Sequence, residues 1–480
     1  MVNFECVLTR HRKLFLAKLG DNEFRMIKAA VKYCILQAIG LLPVRLRRYI
    51  FNVIQLYNIE NMCAPALQAR IKHLIDHSIS TSNSGDYEEA ECSLLQAAIL
   101  SPSDPRIAPH LGRVRFLRSR SADVVAQRQT QSMIAAINSM NQEIESHPNY
   151  VPSKFWSTVG KFHVQILERY GIENFKRTVS HHYQNWYMVS QEDAQVRQLF
   201  KTWPMHFASE PWFNIIEIPD HIGLHPSLNF ENPTNPLASA EQREIYRVAV
   251  GLLWEFVKNT DSFNVLDQLT ESEIGNPIRI WRKGRLISSD LAHSVRERNM
   301  LFEALSLSGN EGLVVGELGA GQGRLAEIFG RTTNFRYFIF DITPALFVSQ
   351  WYIKTLFPQE KIFEFRHFDD FAEIREELKE CRFAFFTSNQ IEKLPSDCFH
   401  LFINMNSLGE MQMDQILNFL HHIDRLTTVA FLSRQWLHWI NPIDHIVITK
   451  DTFTMHNRWR LLLDKVDDIY PDFFNQIWKR

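Results

Sequence analysis

The chain has 480 residues, with 52 Lys and Arg, 54 Asp and Glu, and 45 % hydrophobic residues. At roughly 100 to 200 residues per domain this length predicts two to four folded units, and the composition excludes a chain that is disordered throughout. The formal net charge of −2 provides no overall positive field, so no nucleic-acid partner is expected.

The cysteines and the first residues favour a cytoplasmic location. The six cysteines lie far apart without a CxxC pair, which argues against a zinc site or a disulfide framework. The first 20 residues lack the uninterrupted apolar core of a secretion signal. The most apolar stretch, residues 29–44, is shorter than the roughly 20 residues that span a bilayer, so no transmembrane segment is expected.

Residues 1–145 are predicted to form a helical region. Residues 1–50 carry ten Lys and Arg against three Asp and Glu, and amphipathic helices are expected on both sides of Pro43. Their basic face is either a solvated surface of packed helices or a peripheral contact with an anionic membrane. These helices are also the predicted contact for a protein partner.

Residues 84–120 resemble one tetratricopeptide repeat. A helix is predicted to open over residues 85–90, to carry Ala97 on its packing face and to end at Pro102 and Pro105, and a second helix is predicted from Ile107 to Arg118. Because a stable stack usually needs three or more repeats, a short helical scaffold is favoured over a peptide-binding solenoid.

The sequence pattern of the remaining chain changes near residue 300. Residues 146–300 are aromatic-rich, and proline clusters separate two segments with helical periodicity. This region is predicted to cover a substrate, with a purely structural connector as the alternative. In residues 301–480 strands alternate with helices, which is typical of a parallel α/β sheet.

The glycine loop after the first strand of this last region distinguishes two classes of cofactor. A dinucleotide fold needs GxGxxG, but the third glycine of that pattern would fall at Arg324, which disfavours a nicotinamide-dependent oxidoreductase. Glu317, Gly319, Gly321 and Gly323 instead form an ExGxGxG arrangement. It resembles motif I of the class I S-adenosylmethionine-dependent methyltransferases.

Later strand ends extend this resemblance. A carboxylate 18 residues after Gly323 ends the next predicted strand, where it can accept both ribose hydroxyls. A polar loop after the third strand corresponds to the loop that cups the adenine in such methyltransferases, with simple loop capping as the alternative. The cofactor-binding residues predicted at these strand ends are Asp341, Ile342, Ser388, Asn389, Gln390 and Asn404.

More closely, residues 150–435, about 60 % of the chain, resemble the sugar O-methyltransferase family. The matching pieces are GELGAGQGRL, FDITPALFVSQWYIKTLFP, LFINMNSLGEM, GIENFKRTVSHHYQNW and GNPIRIWRKGRLISSDLAHS. Thr343 departs from the family pattern, in which a proline is expected before Pro344.

This resemblance implies a Rossmann-like sheet, S-adenosylmethionine as cofactor, and methyl transfer to a sugar hydroxyl in a surface glycan or its precursor. The alternative is a helical interaction protein with a degenerate methyltransferase-like domain. The intact glycine loop and Asp341 argue against that alternative.

Methyl transfer to a hydroxyl needs a base that takes its proton as the new bond forms. Glu410, just after the fourth predicted strand, is the first candidate, although Ser407 and Glu410 also have the S-x-x-E spacing of a helix capping box. His438, after the fifth strand, is the second candidate, and a partner-satisfied histidine is its alternative.

The sugar is expected to contact flat aromatic faces and hydrogen-bond donors. The predicted acceptor-binding residues are Tyr183, Trp186, Arg285, Asn406 and Ser407. Lys176 and Arg177 could bind a phosphate if the acceptor is nucleotide- or lipid-linked. No protein-bound metal is expected for the fold, because the adjacent histidine pairs lack the i, i+4 spacing of a helical metal site. The alternative is a divalent ion that assists the sugar hydroxyls.

Overall fold

The computed structural model describes residues 64–101, 104–179, 194–206, 240–441, 443 and 445–480. The basic N-terminal segment, with its predicted helices and membrane or protein contact, lies outside these residues, as do Tyr183 and Trp186. The chain divides into two compact units, Met1–Arg115 and Phe116–Arg480.

The described part of the first unit contains a helical hairpin formed by α1 (Ala64–Asn83) and α2 (Tyr87–Leu100). Asp86 caps α2, because its carboxylate accepts the backbone N–H of Glu89 at 3.1 Å. Apolar residues of both helices are buried in one cluster, including Ile71 and Leu94. The tetratricopeptide-like interpretation of this hairpin stays a prediction.

The other described elements are mostly helices up to residue 305, and strands alternate with helices after it. The helices are α3 (Ile107–Ala122), α4 (Val124–Glu145), α5 (Lys154–Tyr170), α6 (Ala194–His206), α7 (Ala240–Thr260), α8 (Ser289–Leu305), α9 (Arg324–Thr332), α10 (Ala345–Leu356), α11 (Arg375–Glu380) and α12 (Met413–Leu426). The strands are β1 (Ile280–Arg282), β2 (Arg285–Ile287), β3 (Val314–Leu318), β4 (Arg336–Asp341), β5 (Ile362–Phe363), β6 (Phe383–Thr387), β7 (Phe399–Met405), β8 (Thr427–Trp436), β9 (His438–Ile440), β10 (Val447–Thr449), β11 (Arg460–Val466) and β12 (Phe473–Lys479). Within the described ranges, no helix combines the length and apolar character needed to cross a membrane.

The main sheet has the order β11-β12-β8-β7-β3-β4-β6-β5 in the described residues. The strands from β5 to β8 in this order are parallel to their neighbours, whereas β12 is antiparallel to β8 and to β11. The prediction of a Rossmann-like α/β sheet after a mostly helical region is therefore confirmed. The chain moves outward from β3 in both directions, and ligands of such sheets bind beside the carboxyl ends of the strands at this switch point.

Phenylalanine rings from neighbouring strands hold the centre of the sheet together. The ring of Phe340 stacks on Phe386 at 5.2 Å and on Phe402 at 6.2 Å between centroids. Gly316 on β3 makes room for them, since a Cβ there would lie 2.6 Å from the Phe402 ring. This packing supports the strand ends on a rigid base.

A buried carboxylate connects the antiparallel side of the sheet to α8. Asp467 accepts Nη1 of Arg296 at 3.0 Å and Nε of Arg434 at 3.2 Å, and its side chain is fully buried. Burial opposes its ionisation, but the two guanidinium groups outweigh that effect and hold the pKa of Asp467 well below its usual range. Arg434 also donates to Oδ1 of Asn406 at 3.1 Å, which carries the network to the carboxyl edge of the sheet.

Replacing Asp467 with Asn should lower the free energy of unfolding by about 3–5 kcal/mol, because the buried Arg434 loses its counter-ion and Arg296 keeps only the half-exposed Asp468. Urea unfolding at neutral pH measures this loss. The matched control is Asp468→Asn, whose side chain is 52 % exposed and pairs with Arg296 at 3.5 Å. It should cost less than about 1 kcal/mol, and equal losses in the two variants would contradict the assignment.

Candidate functional site

The glycine loop joins β3 to α9 at the carboxyl edge of the sheet. Gly319, Gly321 and Gly323 have φ angles of 73°, 60° and 82°, a region that favours glycine. At Gly319 space is limiting as well, since a Cβ would lie 2.2 Å from Oγ of Ser407. The loop therefore presents bare backbone at the switch point, beside the turn that follows β7.

Asp341, the last residue of β4, fixes this loop. Its Oδ2 accepts the N–H of Gly321 at 2.8 Å, and its Oδ1 accepts the N–H of Ile342 at 2.7 Å. Burial raises the pKa of Asp341 to about 7, although both backbone bonds favour the ionised form. Each carboxylate oxygen keeps further acceptor capacity, so the group can also receive hydroxyl donors.

Glu317 is the first residue of the glycine motif, but its side chain is buried in the sheet and bonds Tyr337. It is 2 % exposed and accepts the hydroxyl of Tyr337 at 2.8 Å. Burial raises its pKa to about 8. Arg324, which stands where a dinucleotide fold needs glycine, is buried against α8 and pairs with Glu297 at 2.6 Å.

The turn after β6 holds the three predicted adenine-site residues, which differ in whether the protein satisfies their side-chain hydrogen bonds. Gln390 is used by the fold, because its Oε1 accepts the N–H of Thr387 at 3.1 Å and its Nε2 donates to the carbonyl of Arg366 at 2.9 Å. Oγ of Ser388 and Oδ1 of Asn389 are buried without a hydrogen-bond partner among the described residues. A buried polar atom without a hydrogen bond lowers the stability of the fold by about 1–3 kcal/mol. A ligand that bonds these two atoms would remove that cost.

Asn404 ties three strand ends together. It is fully buried, and its Nδ2 donates to the carbonyl of Leu318 at 2.8 Å and to Oγ of Ser407 at 2.6 Å. Its Oδ1 accepts Nε2 of Gln435 at 2.6 Å. These bonds shape the base of the site beneath Ser407, and Asn406 lies beside them with its Oδ1 accepting from Arg434.

Glu410 ends the short turn Leu408–Glu410 after β7. Its Oε2 accepts the indole Nε1 of Trp156 at 2.9 Å. Burial raises the pKa of Glu410 to about 7, while the hydrogen bond from Trp156 favours the ionised form. The capping box does not form, because Ser407 makes no side-chain cap and donates instead to the carbonyl of Leu318 at 3.2 Å.

Aromatic residues around Glu410 were missed by the sequence reasoning. Trp156 comes from α5, whose capping residue Ser153 also donates to the Glu410 carbonyl at 3.5 Å. Trp436 stacks on Trp439 with 5.0 Å between centroids and 24° between planes. The only signal for the pair Trp436 and Trp439 was its place at and just after the end of β8, and nothing local links Trp156 to Glu410.

The second candidate base is exposed, and the three cations predicted to bind the acceptor donate to other parts of the fold. His438 is exposed on β9, and Arg285 donates from the β1–β2 hairpin to the carbonyl of Leu266 at 3.1 Å. Lys176 and Arg177 are buried; Lys176 donates to the hydroxyl of Tyr352 at 2.8 Å, and Arg177 donates to a backbone carbonyl. These two cations serve the fold in the structure, contrary to the expected phosphate contact.

No family model and no curated protein matches the chain. Among solved structures it is similar to Burkholderia thailandensis 1,6-didemethyltoxoflavin-N1-methyltransferase with bound S-adenosylhomocysteine, at 14 % identity over 40 % of this chain and 80 % of that one, with a TM-score of 0.27. It is also similar to magnesium protoporphyrin IX methyltransferase from Synechocystis PCC 6803 with bound SAM, at 11 % identity over 39 % and 79 % of the two chains (TM-score 0.24). A third is a SAM-dependent methyltransferase from Aquifex aeolicus, at 12 % identity over 38 % and 88 % (TM-score 0.25).

The residues at this sheet edge fit S-adenosylmethionine. The loop presents glycine backbone at residues 319, 321 and 323, Asp341 offers acceptors to ribose hydroxyls, and Ser388 and Asn389 each hold an unsatisfied polar atom. Among the described side chains, no group of three or more His, Cys, Asp or Glu converges as a metal site would require.

Gly319→Ala should destabilise the protein more than Gly312→Ala, by about 1–3 kcal/mol. Both glycines have positive φ, 73° and 65°, but a Cβ at Gly312 meets nothing within 4 Å. Both variants therefore carry similar backbone strain, and the difference between their free energies of unfolding reports the clash with Ser407. Urea unfolding of both variants measures it, and equal stabilities would show that the turn after β7 can move aside.

Proposed function

We propose that this chain is an S-adenosylmethionine-dependent O-methyltransferase that methylates a hydroxyl of a sugar in a surface glycan or its precursor. The observation that carries the proposal is the placement of Glu410. It is a carboxyl group with a pKa of about 7, held by Trp156 in the turn whose Ser407 faces Gly319 of the glycine loop. A proton acceptor thus lies at the edge of the sheet where the cofactor would bind.

The cofactor would be held by three elements of this edge. The backbone of residues 319–323 would contact its methionine part, Asp341 would accept from the ribose hydroxyls, and Ser388 and Asn389 would bond the base. When bound, the cofactor supplies a methyl group on a positively charged sulfur as the electrophile. The protein has to exclude water and hold the acceptor hydroxyl in line with that methyl group, and such positioning can supply about 7–11 kcal/mol of the barrier.

Glu410 is suited to take the hydroxyl proton. A sugar hydroxyl does not ionise at neutral pH, and a general base works best when its pKa lies near the operating pH. Burial brings the pKa of Glu410 into that range, and the indole of Trp156 fixes the direction of the carboxylate. His438 is exposed on β9 and lacks this enclosure.

A sugar acceptor is supported by the indoles near this carboxylate. Trp436 and Trp439 form a stacked pair, and Trp436 also packs on Phe473 with centroids 3.9 Å apart. Indoles combine a broad apolar face with an N–H donor, which suits the apolar face and hydroxyl rim of a pyranose ring. The contacts predicted for Tyr183, Trp186 and Arg285 remain part of the proposal.

Isothermal titration should show that the protein binds S-adenosylhomocysteine and that Asp341→Ala weakens the binding at least tenfold. Each charge-assisted hydrogen bond to a ribose hydroxyl contributes about 1.5–3 kcal/mol, and a tenfold change in affinity corresponds to about 1.4 kcal/mol. Asp414→Ala, at an exposed position of α12, is the control and should bind like the wild type. Absence of binding by the wild-type protein would remove the proposed function.

Glu410→Gln should lower kcat by about 10²- to 10⁴-fold while binding of S-adenosylhomocysteine stays within twofold. The assay detects methylated product by mass spectrometry, with free and nucleotide-linked sugars as acceptors. Because only the ionised carboxylate accepts a proton, wild-type kcat at saturating cofactor should rise with pH through about 7, and the variant should lack this rise.

Trp156→Phe is the companion variant for this experiment. It keeps an aromatic ring but removes the N–H that favours the ionised form of Glu410. The pKa should therefore increase, and the rise of kcat should move to higher pH. Wild-type turnover in Glu410→Gln would eliminate Glu410 as the base.

A further inference from the structure

A buried glutamate near the end of α4 holds the turn after β6. Glu143 is 7 % exposed and lies outside the residues that carry the family resemblance. Its Oε1 accepts Nδ2 of Asn389 at 2.9 Å and Nζ of Lys393 at 3.1 Å, and its Oε2 contacts Nδ1 of His367. We call these four residues the Glu143 cluster.

The cluster keeps Glu143 ionised. Burial opposes ionisation, but the hydrogen bonds from His367, Asn389 and Lys393 outweigh it and hold the pKa of Glu143 below its ordinary value. An ionised carboxylate is only an acceptor of hydrogen bonds. Each partner must therefore present a donor to Glu143.

This requirement fixes the direction of the Asn389 amide. An asparagine can present either its NH₂ or its carbonyl oxygen in a given direction, because the two ends are nearly the same size. Beside Glu143 the NH₂ end must point to the carboxylate, and Nδ2 also lies 3.1 Å from Nδ1 of His147. The carbonyl Oδ1 is thereby turned away, and it is the buried atom without a partner among the described residues.

We propose that Glu143 is a specificity-determining positioning residue, which makes Asn389 present a hydrogen-bond acceptor to the 6-amino group of adenine. A 6-oxo purine would place a carbonyl oxygen against Oδ1, so two acceptors would face each other without a proton between them. The protein therefore prefers an adenine-containing cofactor to its hypoxanthine analogue. This inference rests on the proposed function, since it requires the base of S-adenosylmethionine at this turn.

The test compares the affinities for S-adenosylhomocysteine and S-inosylhomocysteine by isothermal titration. The wild type should prefer the adenine ligand by at least about tenfold, as expected for a buried acceptor that loses its donor. In Glu143→Gln the new amide can donate to Oδ1 and let Asn389 rotate, so the preference should fall to about threefold or less. Glu145→Gln, at an exposed position two residues along the chain, should keep the wild-type preference.

The ratio of affinities separates positioning from a structural role, because general loosening of the fold would weaken both ligands alike. An unchanged ratio in Glu143→Gln overturns the inference. If that variant does not fold, Asn389→Ala decides, since removal of the acceptor should also abolish the preference, and a retained preference overturns the inference. A wild type that binds both ligands equally overturns this inference alone, whereas a wild type that binds neither removes the proposed function with it.

Discussion

The hydrogen bond from the Gly321 N–H to the Asp341 carboxylate sets the geometry of the whole sheet edge. It joins the loop after β3 to the end of β4, two strands that lie side by side in parallel. The same loop is confined on its other side, where Gly319 leaves no room for a side chain next to Ser407. One short loop is thus fixed between two strand ends, and the positive φ angles of its glycines follow from that confinement.

Three carboxyl groups near this edge share a raised pKa with burial as the main cause. They are Glu317, Asp341 and Glu410, at about 8, 7 and 7. Desolvation of a carboxylate is unfavourable for stability, and such groups concentrate at functional sites. Their surroundings differ: Glu317 receives a tyrosine hydroxyl, Asp341 receives backbone N–H groups, and Glu410 receives the indole N–H of Trp156. The first is enclosed by the sheet, and the other two can serve a ligand.

The sequence predicted the parts of the site that depend on local order. Glycine spacing and strand periodicity located the loop and Asp341, because strand ends of a parallel sheet meet at one edge. Sequence alone could not separate Ser388 and Asn389 from Gln390, since the difference lies in whether distant backbone groups satisfy each side chain. Nor could it choose between a capping box and a base at Glu410, because Trp156 is 254 residues away.

The helices before the sheet contact two residues of the proposed site. Glu143 of α4 accepts from Asn389, and Trp156 of α5 donates to Glu410, so in the proposed function both the contact to the cofactor's base and the proton acceptor depend on residues before position 160. A sheet domain beginning at residue 301 would keep the glycine loop and Asp341 but lose these two constraints. Its glycine loop and Asp341 could still meet the cofactor, whereas the Asn389 amide could rotate and the Glu410 carboxylate would lose its indole donor. In the proposed function, cofactor contact is a property of the sheet, and control of the chemistry comes from the helices packed against it.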